Sequence, residues 1–290
     1  MIKEYRTALV TGASRGIGPY IVRALAKEKL NLVLAARSRA GLEQVKEEVH
    51  RSGVQAVTVP TDLTSPEARL ALVSQAKEAF GIVDVLVNNA GGDPQRHFHL
   101  YEASDVEQVL QLNLVAPLEL SRLLLPDMLR QGRGHIVSIG SIAGSMGFPL
   151  TEVYAAAKDG LAGFTRLLRA DYGNHGIGAS LVILGTILGA GATSDTVEEL
   201  DIQLPLAGRL FASPPGVVAA AVIKALRRNK AELVVMPGPG KLTKTMLDLF
   251  PGMGPLINRL VGMDAIMRDV ADYREDQHRQ LVARHERVAA

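Results

Sequence analysis

The chain has 290 residues, 47% hydrophobic and 21% charged, which is ample apolar material for one or two globular domains. Its 32 basic and 30 acidic side chains leave a net charge of +2, too balanced for a nucleic-acid partner, which needs a concentrated basic face. Cysteine is absent, which excludes disulfides, thiolate catalysis and cysteine-ligated metals.

The opening "MIKEYRTALVTG" carries charges and then a short apolar run that reads as a strand, not as the apolar region of a secretory signal. No stretch approaches about 18 uninterrupted apolar residues, so no transmembrane span is expected, and a cytoplasmic location is. Strand-like runs then follow in order: "TALVT" (7–11), "NLVLAA" (31–36), "QAVTVP" (55–60), "VDVLVN" (83–88), "GHIVSI" (134–139), "GASLVIL" (178–184) and "AELVVM" (231–236). Between them lie helix-length segments at 40–52, 66–80, 104–130, 153–173 and 214–229. The strand runs are nearly continuous Val, Ile and Leu, the mark of strands buried on both faces. Alternating strands and helices predict an α/β doubly wound parallel sheet of the Rossmann type, about seven strands with helices on both faces. The alternation runs to about residue 236 without a linker, so residues 1–290 read as a single domain.

Two regions break the alternation. Residues 189–212 form a long insertion after a strand, and long loops in compact domains are usually functional. Residues 237–290 begin "PGPG", turn apolar with Met246, Met253, Met263 and Met267, and end in a charged helix-like tail. The methionines are expected to pack in a core before lining a substrate. The tail's apolar run needs burial. A substrate pocket or a second subunit is the expected cover for it, and a membrane surface ranks behind both. The expected pocket wall combines loop 189–212 with segment 241–267.

Chemistry begins at "TGASRGIG", with Thr11, Gly12, Gly16 and Gly18 directly after the first strand and opening a helix. Glycines there let backbone N–H groups approach a pyrophosphate, and the helix N-terminus adds a favourable field. An acid at the end of the second strand would bind the ribose 2′-hydroxyl of NAD. Here Ala36 takes that place and Arg37 follows, with Arg15 inside the glycine turn. Two guanidiniums without a carboxylate suit a 2′-phosphate, so NADP(H) is the expected cofactor. His97 and His99 form an H-x-H pair, but no third ligand lies near them in sequence, so no metal is expected.

Tyr154 and Lys158 stand four residues apart in "YAAAK", on one face of a predicted helix. Together with TGxxxGxG at 11–18, "TDL" at 61–63, "NNAG" at 88–91, Asn113 in "LNLVAP" and Ser141 thirteen residues before Tyr154, they resemble the short-chain dehydrogenase/reductase family, firmly over residues 6 to about 187. The resemblance implies a general acid/base at Tyr154, whose phenol pKa Lys158 lowers. It implies that Ser141 orients the substrate oxygen and that Asn113 anchors a water relaying protons to Lys158. It places the cofactor on Gly12, Ser14, Arg15, Gly16, Ile17, Gly18, Arg37, Asp62, Leu63, Asn89, Ala90, Gly91, Tyr154, Lys158, Gly185 and Ile187. Ser138 is the competing serine and reads as a strand residue.

The family's PG dipeptide and following threonine are missing. Leu184 replaces the proline, Gly189 stands at the threonine's place, and Thr186 lies nearby at another offset. The expected activity is hydride transfer between NADP(H) and a small-molecule carbonyl or alcohol, either a hydrophobic ketone, a 3-oxoacyl compound or a steroid-like molecule, in a homodimer or homotetramer. The alternatives are a non-catalytic NADP-binding regulator or scaffold, and a nucleotide-sugar epimerase or dehydratase. The complete Ser-Tyr-Lys-Asn set argues against the first, and the glycine spacing with the modest C-terminal region against the second.

Overall fold

The apolar runs form seven parallel strands in the order β3-β2-β1-β4-β5-β6-β9: β1 Thr7–Thr11, β2 Asn31–Ala36, β3 Ala56–Pro60, β4 Val85–Asn88, β5 Gly134–Ser141, β6 Ile177–Leu184 and β9 Glu232–Val235. Two short strands, β7 (Thr186–Ile187) and β8 (Ala212–Ser213), pair separately. The computed structural model describes residues 2–190, 199–200 and 212–289. Loop 189–212 therefore lies mostly outside the described residues, and its expected role as a substrate loop has no structural account.

Each strand feeds two cores because successive side chains point to opposite faces. Ala8, Val10, Leu32 and Leu34 join the core packed by α1 (Gly18–Lys27), α2 (Arg39–His50) and α8 (Pro215–Arg228). Leu9, Val33, Ala35 and Leu86 join the core on the other face, beneath α3 (Pro66–Phe80), α5 (Ala116–Gln131) and α7 (Glu152–Tyr172). Each fully buried Leu contributes on the order of 1.5–3 kcal/mol. This two-sided burial is why both parities of every strand are apolar.

The strand order reverses between β1 and β4, and in open α/β sheets the ligand crevice lies at the carboxyl ends of the strands at such a switch point. At the opposite end, buried Asp84 ties β1 and β5 together, accepting Arg6 N–H at 2.8 Å, Thr7 N–H at 3.1 Å and Arg133 Nε at 3.2 Å.

The predicted single helix 104–130 is instead two: α4 (Ala103–Leu110) and α5, joined by a π-helical turn over Gln111–Val115. Pro117 explains the break. It has no N–H to give the carbonyl of Asn113 four residues earlier, and its ring crowds that carbonyl. An 18-residue stretch within Ala103–Gln131 reaches a mean hydropathy of 1.2, long and apolar enough to cross a membrane by composition. In this fold it covers the sheet, burying Leu120, Leu124 and Met128.

Beyond β9 the chain forms α9 (Gly240–Leu249), α10 (Met253–Leu260) and α11 (Met263–Ala289). The methionines divide. Met263 and Met267 are buried, while Met246 and Met253 are each 37% exposed. Leu249, Phe250, Leu256 and Leu260 face outward from α9 and α10.

Candidate active site

The chain leaves β1 through Gly12 and Gly16, both with positive φ, and enters α1 at Gly18. A Cβ on Gly12 would stand 2.9 Å from both Ala90 Cα and Asn89 Nδ2. One on Gly18 would stand 2.0 Å from the Gly12 carbonyl oxygen. Only glycine fits either place. Asn89 donates from Nδ2 to the carbonyls of Thr11 (2.9 Å) and Gly12 (3.2 Å), so its side chain locks the β4 exit onto the glycine turn. Thr11 Oγ1 completes the lock, accepting the N–H groups of Asn89 and Ala90 at 3.0 Å.

Ser14 abuts Gly41 at the start of α2, and Ile17 packs on the neighbouring core. Arg15 and Arg37 are both exposed at this end of the sheet. Asp62 follows β3, its Oδ1 accepting Thr64 N–H at 3.0 Å and Thr64 Oγ1–H at 2.8 Å. Those bonds hold its carboxyl below the usual range, with Arg37 adding a smaller attraction. Leu63 beside it is buried. After β6, Gly185 donates to Val235 at 2.9 Å and Ile187 is buried. Gly189 has positive φ, and the carbonyl of Ala190 returns to within 3.3 Å of where a Gly16 Cβ would be. The segment that lacks the proline and threonine thus closes back onto the glycine turn.

The serine, tyrosine and lysine meet where β5 ends. Ser141 is its last residue, with Oγ accepting Ala143 N–H at 3.1 Å. Its side chain lies close enough to Tyr154 to act on the phenol. Ser138 takes no part, being fully buried and receiving Thr165 Oγ1–H at 2.8 Å in the core. Lys158 is buried one turn beyond Tyr154, its Nζ 5.5 Å from the phenol ring centroid and donating to the Ile139 carbonyl at 3.1 Å.

Asn113 is also buried, and its side chain is spent on backbone. Nδ2 donates to Gly92 (2.8 Å) and Val109 (2.9 Å), and Oδ1 accepts Gly92 N–H at 3.2 Å. Gly91 threads between these groups: a Cβ there would lie 2.8 Å from Asn113 Oδ1 and 3.2 Å from Lys158 Nζ.

Burial pushes the Tyr154 phenol up to about 12, outweighing the lowering effect of Ser141. Burial also pulls Lys158 down to about 8. Both groups have lost water, and each loses its charged form more readily than in solution. At neutral pH the protein's own groups therefore leave a protonated phenol beside an ammonium that still holds most of its charge.

Sequence reading missed the rim. Loop 92–101 leaves β4 as "GDPQRHFHLY" and is strapped by α11. Buried Arg96 pairs with Glu275 (2.8 Å) and Asp105 (3.2 Å), and Arg274 donates to the carbonyls of Asp93 (3.3 Å) and Pro94 (3.2 Å). His97 precedes a short helical turn over Phe98–Leu100 in extended backbone, its Nε2 2.9 Å from Asp272. Helix α6 (Ala143–Met146), directly after Ser141, is covered by α10, with Asn258 Nδ2 donating to the carbonyls of Met146 (3.3 Å) and Gly147 (3.1 Å). Charges within a Gly-Pro loop were the only local signal. A cavity of about 270 Å³ on the other side of Ser141 is lined by Ser141, Ser145, Asp159, Arg166, Lys244 and Asp248 among others, but not by Tyr154 or Lys158.

A parallel sheet with a glycine turn at its switch point, and a serine, tyrosine and lysine converging beside it, defines a Rossmann-type oxidoreductase. The sequence matches the short chain dehydrogenase family model over residues 6–200. It is 40% identical to "Ketoacyl reductase HetN" from a Nostoc species over 83% of each chain. It is 33% identical to "3-oxoacyl-[acyl-carrier-protein] reductase FabG" of Staphylococcus aureus over 71% of this chain and 85% of that one. A crystal structure of a metagenomic short-chain oxidoreductase in complex with NADP superposes with a TM-score of 0.67 at 31% identity, covering 80% of this chain and 97% of that one. The chain belongs to the short-chain dehydrogenase family, and it is an oxidoreductase of that family.

Proposed function

We propose that the protein is an NADPH-dependent reductase of ketones, with 3-oxoacyl compounds the leading substrate class. One observation carries the reading: the Tyr154 phenol stands beside Ser141, backed by the buried Lys158, at the carboxyl end of β5. The names of the relatives support the choice of reaction, and the NADP in the metagenomic structure supports the choice of cofactor.

The glycine turn fits a dinucleotide, because Gly12, Gly16 and Gly18 keep Cβ atoms out of a turn that ends at a helix N-terminus. Ser14, Arg15, Ile17 and Arg37 would complete the phosphate and ribose end, with Arg15 and Arg37 toward a 2′-phosphate. Asp62 and Leu63 would border the adenine. Asn89, Ala90, Gly91, Gly185, Ile187, Tyr154 and Lys158 would border the nicotinamide half. Bound NADPH supplies the hydride that reaches the carbonyl carbon.

The remaining work belongs to this chain. Ser141 orients the substrate oxygen by hydrogen bonding. Tyr154 delivers its proton to that oxygen as it gains negative charge, so that the carbonyl becomes an alcohol. Lys158 stabilises the phenolate left behind. Asn113 positions Lys158's surroundings by fixing the Gly91–Gly92 backbone. Helices α9 and α10, packed against α6, would wall the substrate side, and their outward Leu249, Phe250, Leu256 and Leu260 would meet a second subunit of a cytoplasmic homo-oligomer.

The test is NADPH oxidation across 3-oxoacyl thioesters, simple ketones, steroids and quinones. Tyr154→Phe keeps the ring and removes the proton. Turnover is expected to fall by about 100-fold or more, with NADPH affinity within a few-fold of the parent. A Tyr154→Phe protein that keeps most of its turnover refutes the assignment.

A further inference from the structure

The helices beyond β9 lie outside residues 6–200, which match the family model, yet α10 grips the segment between the serine and the tyrosine. Helix α6 in that segment is a single turn, and one turn does not hold itself in water. Its first N–H, on Ala143, is the group that Ser141 Oγ accepts at 3.1 Å. Where α6 sits therefore sets where the Ser141 hydroxyl points.

The carbonyls of Met146 and Gly147, at the C-terminal end of α6, are bound from outside the segment. Asn258 on α10 donates to both from Nδ2, at 3.3 and 3.1 Å. The backbone reinforces this grip. A Cβ on Gly254 would overlap the Met146 carbonyl, so α10 meets α6 main chain to main chain. Pro255 Cγ stands 3.1 Å from where a Gly147 Cβ would be.

Stability does not account for Asn258. It is 1% exposed, and its Oδ1 has no hydrogen-bond partner among the described residues. Ile257 beside it packs into an apolar cluster with Ile142, Met146 and Leu247. An apolar side chain of similar size would be buried there without leaving an oxygen unpaired. What the amide supplies is a fixed placement of α6 against α10.

We propose that Asn258 is a positioning residue of the reaction: by holding the C-terminal end of α6, it aims the Ser141 hydroxyl at the substrate oxygen that Tyr154 protonates. The assignment rests on the reductase reading, gives the chain beyond β9 a part in turnover, and leaves the hydride and proton steps unchanged.

The experiment uses the full chain, NADPH and the ketone of the substrate panel that the parent reduces best. Asn258→Leu keeps the volume and removes both hydrogen bonds. Its kcat is expected to fall about tenfold or more, because catalysis drops steeply when a positioned group shifts by a fraction of an ångström. The KM of the ketone and the Kd of NADPH are expected to stay within a few-fold of the parent. A residue that only walls the substrate would show the reverse, a raised KM with kcat kept.

The second measurement is a double-mutant cycle with Ser141→Ala, read by single-turnover NADPH oxidation with enzyme in excess, so that slow variants still give a rate. Residues that act through one another are not additive, so Asn258→Leu is expected to change the rate by less than about twofold once Ser141 is gone. Asn258→Ala runs through the same cycle and decides the matter if the leucine variant does not fold.

An Asn258→Leu protein with the parent's kcat overturns the assignment. So does a raised KM without loss of kcat. So does a loss that multiplies in full with that of Ser141→Ala, which marks a purely structural role. A parent protein that reduces no ketone overturns the reductase reading itself. One that reduces ketones but gives any of those three results overturns only the role of Asn258.

Discussion

Gly91→Ala is the most direct test of how the cleft is assembled. The new Cβ would sit 2.8 Å from Asn113 Oδ1 and 3.2 Å from Lys158 Nζ. An ordinary carbon–oxygen contact needs roughly half an ångström more, so Asn113 or the loop must retreat. Asn113 cannot do so freely, being fully buried and bonded to Gly92 and Val109. Overpacking of this kind costs about 1–3 kcal/mol, or about 2–10 °C in melting temperature for a chain of this size. Displacing Lys158 by a fraction of an ångström is expected to reduce kcat by about 10- to 100-fold.

Gly92→Ala is the control. Its Cβ would meet only Leu112 Cδ2, at 3.8 Å, an ordinary contact. Thermal melting and steady-state NADPH oxidation measure both variants. A Gly91→Ala protein as stable and active as the parent refutes the packing argument, as does a Gly92→Ala protein equally impaired.

Arg37→Asp should invert cofactor choice, with NADPH losing at least tenfold in affinity relative to NADH, about 1.4 kcal/mol; an unchanged calorimetric ratio would count against a 2′-phosphate at Arg37. Glu275→Ala leaves buried Arg96 with Asp105 as its remaining acid partner and is expected to cost on the order of 3 kcal/mol. Limited proteolysis should then cut the α11 region first, and a cleavage pattern like the parent's would show that α11 is held by other contacts. His135, buried against Ser180 at 2.8 Å, is pulled down to about 3 by burial and then by Arg169. The unfolded chain takes up that proton near pH 6.5 and the folded one does not, so stability should fall with falling pH from about 6.5 toward 3, by up to about 1.4 kcal/mol per unit. Denaturant midpoints across that range should lose this slope in His135→Gln, and an unchanged slope would place the acid sensitivity elsewhere.

Much of the fold was legible because its signals are local. The seven strands read correctly to within a residue or two, since two-sided burial makes every strand position apolar. The glycine turn read correctly because positive φ at Gly12 and Gly16 admits little else. Helical spacing put Tyr154 and Lys158 on one face, and the other motifs of the resemblance gave the pair its role. Tertiary structure decided the rest. The break at Asn113 depends on Pro117, and a helix-period pattern does not reveal the lost hydrogen bond. The strap from Arg96 to Glu275 joins residues 179 apart, and nothing in either neighbourhood names the other. The protonation of Tyr154 and Lys158 was likewise beyond the sequence. Composition supplies the ionisable group, but its charge depends on how much water the packed neighbours exclude and on which donors they bring within reach.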